Sequence, residues 1–141
     1  KTYDSLFSPV VRAGAIPYEV NYLSSAILWN EENTYSLVAL PAEAQVSPVF
    51  GLVADDLDGD GHKDIWLGGN FYAMKPQVGR HDASRGLFLK GISEKSFEFV
   101  PHSGIYVEGE VRDAALLNSK TSNKIIVARN NDSVLMFQRM K

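Results

Sequence analysis

Asp56-Leu57-Asp58-Gly59-Asp60-Gly61-His62-Lys63-Asp64 carries carboxylates at its first, third, fifth and ninth positions. Hard oxygen ligands at alternate positions converge on one cation when the chain curls around it, and Gly61 permits the sharp turn. The chemistry implied is coordination of Ca²⁺ by the side chains of Asp56, Asp58, Asp60 and Asp64 and by the carbonyl of His62. Without a cation, four carboxylates this close would repel one another. The competing reading is an acidic turn between two strands, because Asp and Gly dominate turns. An EF-hand is excluded: its loop needs a Glu at the twelfth position, and that place is Leu67, inside the apolar run Ile65-Trp66-Leu67.

The elements that must hold this loop are strands. Val49-Phe50-Gly51-Leu52-Val53-Ala54 precedes it and Ile65-Trp66-Leu67-Gly68-Gly69 follows it, both short apolar runs of strand type. Phe50-Gly51, then the Asp-x-Asp-x-Asp-Gly-x-x-Asp loop, then an apolar strand ending in Gly-Gly resembles the FG-GAP repeat. That repeat builds the β-propeller of integrin α chains and of many bacterial surface proteins, where it is often called a VCBS repeat. The resemblance is strongest over residues 48–69 and extends more loosely over 20–139. The stretch from Phe50 to the first aspartate is shorter than in integrins, which makes the bacterial branch the better match.

An internal repeat points the same way without any family. Ser24–Pro41 and Ser84–Pro101 have equal length and lie sixty positions apart. Ile27, Leu28 and Trp29 match Leu87, Phe88 and Leu89; Leu37, Leu40 and Pro41 match Phe97, Val100 and Pro101. Each copy reads as a hairpin closed by a proline, and the two are expected to superpose. A second echo pairs Val49-x-Gly51-x-Val53-x-Asp55 with Val107-x-Gly109-x-Val111-x-Asp113, and Lys124-Ile125-Ile126-Val127 takes the place of Asp64-Ile65-Trp66-Leu67. A period near sixty with about four strands per unit suits a propeller or array.

The expected fold is therefore all-β, built of antiparallel four-stranded propeller-type blades, over one segment spanning residues 1–141. Residues 20–41 supply the outer hairpin of one blade, 48–101 a complete blade with the calcium loop between its first two strands, and 107–139 a degenerate blade. In the last unit Asp56, Asp58 and Asp60 are matched to Ala114, Leu116 and Asn118, and the turn from Asn118 to Asn123 is neutral to basic. Residues 1–20 are harder to assign; Val10-Val11 and Tyr18-Glu19-Val20 read as strand pieces interrupted by Pro9 and Pro17. A closed propeller needs at least about four blades. The chain is thus expected to be a non-closing piece of a longer propeller chain, or to associate with itself through its open edges.

Composition bounds the function. With 141 residues and 45% hydrophobic content the chain can bury a core. Fourteen Lys and Arg against seventeen Asp and Glu give a net charge of −3, with no basic patch interleaved with aromatics, so nucleic acid is not an expected partner. No apolar run is long enough for a membrane span. Absence of cysteine removes disulfides, thiolate metal sites and cysteine nucleophiles. No Gly-x-Ser-x-Gly elbow or His-Glu-x-x-His helix is present, and Glu108 and Glu110, two apart on one strand face, have no further acid/base partner, so no enzyme activity is expected.

The other candidate site is the long connection Asn70–Ala83. Hairpin connections usually take two to five residues, and longer ones are often functional. Phe71 and Tyr72 offer flat faces to a sugar or peptide, and Arg80, with Asp82 beside it, offers a donor fork for a carboxylate. The alternative is a loop folded onto its own blade, with Phe71, Tyr72 and Met74 buried and Arg80 paired to Asp82. The resemblance implies a calcium-binding, non-catalytic segment of a larger secreted or cell-surface protein that mediates adhesion or protein contacts. A carbohydrate-binding or accessory module of a polysaccharide-handling system, using the 70–83 loop, is the alternative. The expected partner is accordingly a protein or glycan ligand.

Overall fold

Ile65-Trp66-Leu67-Gly68-Gly69 forms most of a strand buried along its whole length, Asp64–Gly69 (β4). A strand covered on both faces must be apolar at successive positions, which is why its run does not alternate. The structure, a computed structural model, describes residues 2–118 and 123–138. Strands β1 (Ala26–Glu31), β2 (Thr34–Ala39), β3 (Val49–Asp55), β4, β5 (Leu87–Ser93), β6 (Ser96–Phe99), β7 (Val111–Asn118), β8 (Asn123–Arg129) and β9 (Leu135–Gln138) form three open antiparallel sheets. These are a hairpin β1-β2, a four-stranded sheet β3-β4-β5-β6 and a three-stranded sheet β7-β8-β9. The fold is mostly antiparallel β with few, short helices.

The sheets stack face to face around two apolar layers. Val53, Trp66 and Phe88 of the central sheet pack against Val107, Val111, Ile125 and Val127. On its other face Ile65, Leu67 and Leu89 pack against Ala44, Ile27 and Leu40. Trp29 of the hairpin stacks on Phe97 at 6.3 Å and 12°. Glycine lets β7 approach closely. Gly51 and Gly68 face each other across β3 and β4; a Cβ on Gly51 would run into Val111, and one on Gly68 into the Trp66 ring and then Val111. The Phe-Gly and Gly-Gly pairs thus have a packing reason of their own.

The structure corrects three sequence expectations, two of them through register. First, β3 and β7 each carry a bulge, between Val49 and Gly51 and between Val111 and Asp113. The bulges make Val49 equivalent to Val111, not to Val107, which lies in the approach to β7. Leu52 then pairs with Leu67 as Ala114 pairs with Val127, which leaves Lys124–Val127 in the place of Asp64–Leu67. Asp56 consequently matches Asn118 and not Ala114, and the counterparts of Asp58 and Asp60 fall in residues 119–122, outside the described residues. Of the expected neutral-to-basic turn, Asn118 and Asn123 pair at the strand ends, and the four residues between them lie outside the described residues.

Second, the two hairpins differ in register. Trp29 pairs with Ser36, whereas Leu89, sixty positions on, pairs with Phe99. The turns are Glu32-Asn33 and Glu94-Lys95, and β5 bulges between Gly91 and Ser93. Equal sequence spacing therefore does not make equal hairpins, because a bulge and a displaced turn reset the pairing. Leu28 is exposed where its match Phe88 is buried. Third, Val10-Val11 is not strand but part of a short helix, Pro9–Ala13 (α2), preceded by another, Tyr3–Leu6 (α1). Pro9 at the first helical position presets φ, and Ser8 caps the Val11 N–H. Tyr18-Glu19-Val20 lies in exposed irregular chain.

Candidate metal centre

The aspartate loop, residues 56–63, joins β3 to β4, with Asp55 and Asp64 paired at its base. Asp64 is 0% exposed, the only fully buried carboxylate among the described residues. Its Oδ2 accepts the backbone N–H of Leu57 at 2.9 Å and of Asp58 at 3.1 Å; its Oδ1 accepts Gly91 N–H of β5 at 2.9 Å. One side chain thus fastens the loop to the sheet. A buried carboxylate must find such donors, since leaving it unpaired would cost several kcal/mol.

The other aspartates curl the loop on itself. Asp56 accepts the N–H groups of Gly59 and Gly61, Asp58 that of Asp60 at 3.1 Å, and Asp60 that of His62 at 2.8 Å. These are turn contacts of the kind Asp makes with backbone a few residues ahead. They bring one carboxylate oxygen each of Asp56, Asp58 and Asp64 within 4.8 Å of one another. Three hard oxygens so placed could hold a metal ion.

Asp60 stands outside that cluster of side chains. Lys90 of β5 reaches over the loop, its Nζ contacting Asp58 and lying 2.7 Å from Asp60 Oδ2. The Lys90 hydrogen bond, with that of the His62 N–H, holds the Asp60 carboxyl below the usual range. Asp58 and then Asp60 in turn raise the Lys90 ammonium above its ordinary value. His62, an exposed residue, donates its N–H to Asp60. Sequence reading missed Lys90, because only cross-strand register brings position 90 to position 58.

The long connection, Asn70 to Gly86, leaves the sheet at the opposite end, as successive connections of antiparallel strands do. Phe71 pairs with His81 through two backbone bonds of 2.8 and 3.0 Å, which narrows the loop into a small ribbon. Phe71 and Tyr72 are half-buried and engaged separately. Arg112 lies over both Phe71 and Phe50, at 5.7 and 5.2 Å, and Arg80 lies over the Tyr72 ring at 5.0 Å. Arg80 faces Tyr72, and no Arg80–Asp82 ion pair occurs among the described residues; Asp82 is exposed. Asp82 does not join the carboxylate cluster.

The base of this connection holds a polar knot. Asn70, 1% exposed, donates to Ser84 O at 2.8 Å and Gly109 O at 2.9 Å, and accepts from Ser84 N and Ser47 Oγ. Glu110, expected beside Glu108 on a strand face, lies before β7 instead; it is buried while Glu108 is exposed. Gly109, at φ 94°, turns the chain between them. Glu110 accepts Asn130 Nδ2 at 2.8 Å, Tyr72 N at 2.7 Å and Arg112 at 2.9 Å. The Asn130 bond foremost, then Tyr72 N–H and Arg112, hold its carboxyl below 4.5.

A carboxyl whose folded pKa is depressed stabilises the fold above its unfolded value and loses that contribution as pH falls through the folded one. Glu110→Gln should therefore show a flatter loss of melting temperature below about pH 4.5 than the wild type. Parallel acid limbs in the two melting profiles would show that Glu110 does not contribute.

Comparison with family models, with curated proteins and with solved structures gave no match for this chain.

Proposed function

We propose that the chain is a calcium-binding, non-catalytic repeat segment of FG-GAP type, belonging to a larger extracytoplasmic protein that makes adhesive or protein contacts. The observation that carries the reading is that one carboxylate oxygen each of Asp56, Asp58 and Asp64 lies within 4.8 Å of the others, in a loop fastened by buried Asp64. The donor set is entirely hard oxygen, which suits Ca²⁺ better than the nitrogen- and sulfur-seeking metals. Bound there, the ion would neutralise the loop's crowded charge and pin the β3–β4 turn. Magnesium suits the loop poorly, since it demands near-ideal octahedral geometry and sheds water reluctantly. A segment tuned to modest affinity works where calcium is abundant, outside the cytosol.

Stacked sheets with equivalent bulged first strands, β3 against β7, support a propeller-type arrangement of consecutive blades. The long connection favours the self-folded alternative over a flat sugar platform, because Arg112 and Arg80 already cover Phe71 and Tyr72.

Calcium at millimolar concentration should raise the melting temperature over that in chelator, because a ligand held only by the folded state stabilises it by mass action. A hundredfold excess over Kd corresponds to roughly 2.7 kcal/mol. Asp58→Ala should abolish most of the gain. Titration calorimetry showing no heat of calcium binding in the millimolar range, for the wild type and for Lys90→Met alike, would remove the assignment.

A further inference from the structure

We propose that Lys90 is the built-in counter-cation of the aspartate loop and competes with the divalent ion for it, thereby setting how tightly the ion is held. The inference rests on the calcium reading above. Lys90 stands on β5 beside Gly91, whose N–H binds Asp64, so the strand that anchors the loop also delivers its ammonium. The ammonium contacts Asp58, a member of the converging cluster, and Asp60, the expected fourth carboxylate. Asp58 is thus shared between the two cations. Asp60 is paired to the same ammonium at 2.7 Å, so a cation that recruits Asp60 must also compete with Lys90 for it.

An ion entering among Asp56, Asp58 and Asp64 meets a positive charge already bonded to one of its ligands. Repulsion between like charges a few ångströms apart opposes it, in a site where the Lys90 side chain is only 35% exposed and screening is incomplete. The double charge of the ion can still prevail. Before it arrives, the ammonium offsets the mutual repulsion of the carboxylates and keeps the loop curled. Lys90 should therefore weaken ion binding and narrow the stability difference between the ion-free and ion-bound protein.

The test is calcium titration by calorimetry, with thermal unfolding in chelator, for the wild type, Lys90→Met and Lys90→Arg. Lys90→Met should bind calcium about tenfold more tightly, melt lower in chelator and gain more from added calcium. Lys90→Arg, which keeps the charge, should stay near the wild type. If Lys90→Met is unfolded in chelator by circular dichroism, Lys90→Gln reads the same affinity change. A wild type that binds calcium, with a neutral variant that binds no more tightly, overturns the competition while leaving the calcium centre standing. Binding by the neutral variant alone supports it. Failure of both to bind overturns the calcium reading and this inference together.

Discussion

Asp64→Ala should destabilise the protein by about 3–5 kcal/mol in the complete absence of metal, and should also abolish ion binding. The size follows from what the carboxylate holds. It is fully buried and accepts the N–H groups of Leu57, Asp58 and Gly91, so its removal strands three backbone donors at the junction of loop and sheet. A buried donor left unpaired costs roughly 1–3 kcal/mol, and partial entry of water keeps the sum below three times that. Asp64→Asn separates the two roles of the residue. Its carbonyl can still accept from Leu57 and Asp58, while its amide meets the Gly91 N–H donor to donor, so stability should recover only in part and calcium binding should not recover. Urea unfolding in chelator measures the effect. A loss under about 1 kcal/mol would show that Asp64 fastens nothing and that its burial is incidental.

The second large effect is expected at the other end of the sheet. Asn70→Ala should cost about 2–4 kcal/mol, since its side chain ties Ser47, Ser84 and Gly109 together from three separate segments. Asn70 also stands at φ 83°, a conformation Asn tolerates far better than Ala. Asn70→Gly accepts that φ without strain but loses the same side-chain bonds, so it should recover about 1 kcal/mol relative to the alanine variant. Equal stabilities for the two would mean that backbone conformation contributes nothing here. Equal stability of Asn70→Ala and the wild type would dissolve the knot altogether. Asn130 in the last unit repeats the backbone bond, its N–H to Glu110 O at 2.8 Å as Asn70 N–H binds Pro48 O at 3.1 Å, while its side chain goes to the Glu110 carboxylate instead.

Strand identity was legible in the sequence because it depends on local facts. Apolar runs such as Val49–Ala54 and Ile65–Leu67, broken by Asp-Gly and Pro, are strand signals whatever surrounds them, and they became β3 and β4. The aspartate loop was legible for the same reason, since its members lie within nine residues and their turn contacts are with near neighbours. Short-range pattern carried less weight before residue 20, where Ser8 and Pro9 set a helical start that outweighed the β-branched pair Val10-Val11.

By itself, then, the sequence determined the β class, the two glycine pairs and the run of carboxylates. Tertiary structure alone decided the register, the centre and the knot. Bulges at β3, β5 and β7 change which residues face one another without changing composition or spacing, so pairing emerges only when strands meet across the sheet. The contacts that hold the aspartates come from Lys90 and the Gly91 N–H, both brought by β5: one pairs with Asp58 and Asp60 and the other seats Asp64. Charge and hydrogen bonding act over a few ångströms of space, and two residues thirty positions apart become neighbours only through the fold that joins them.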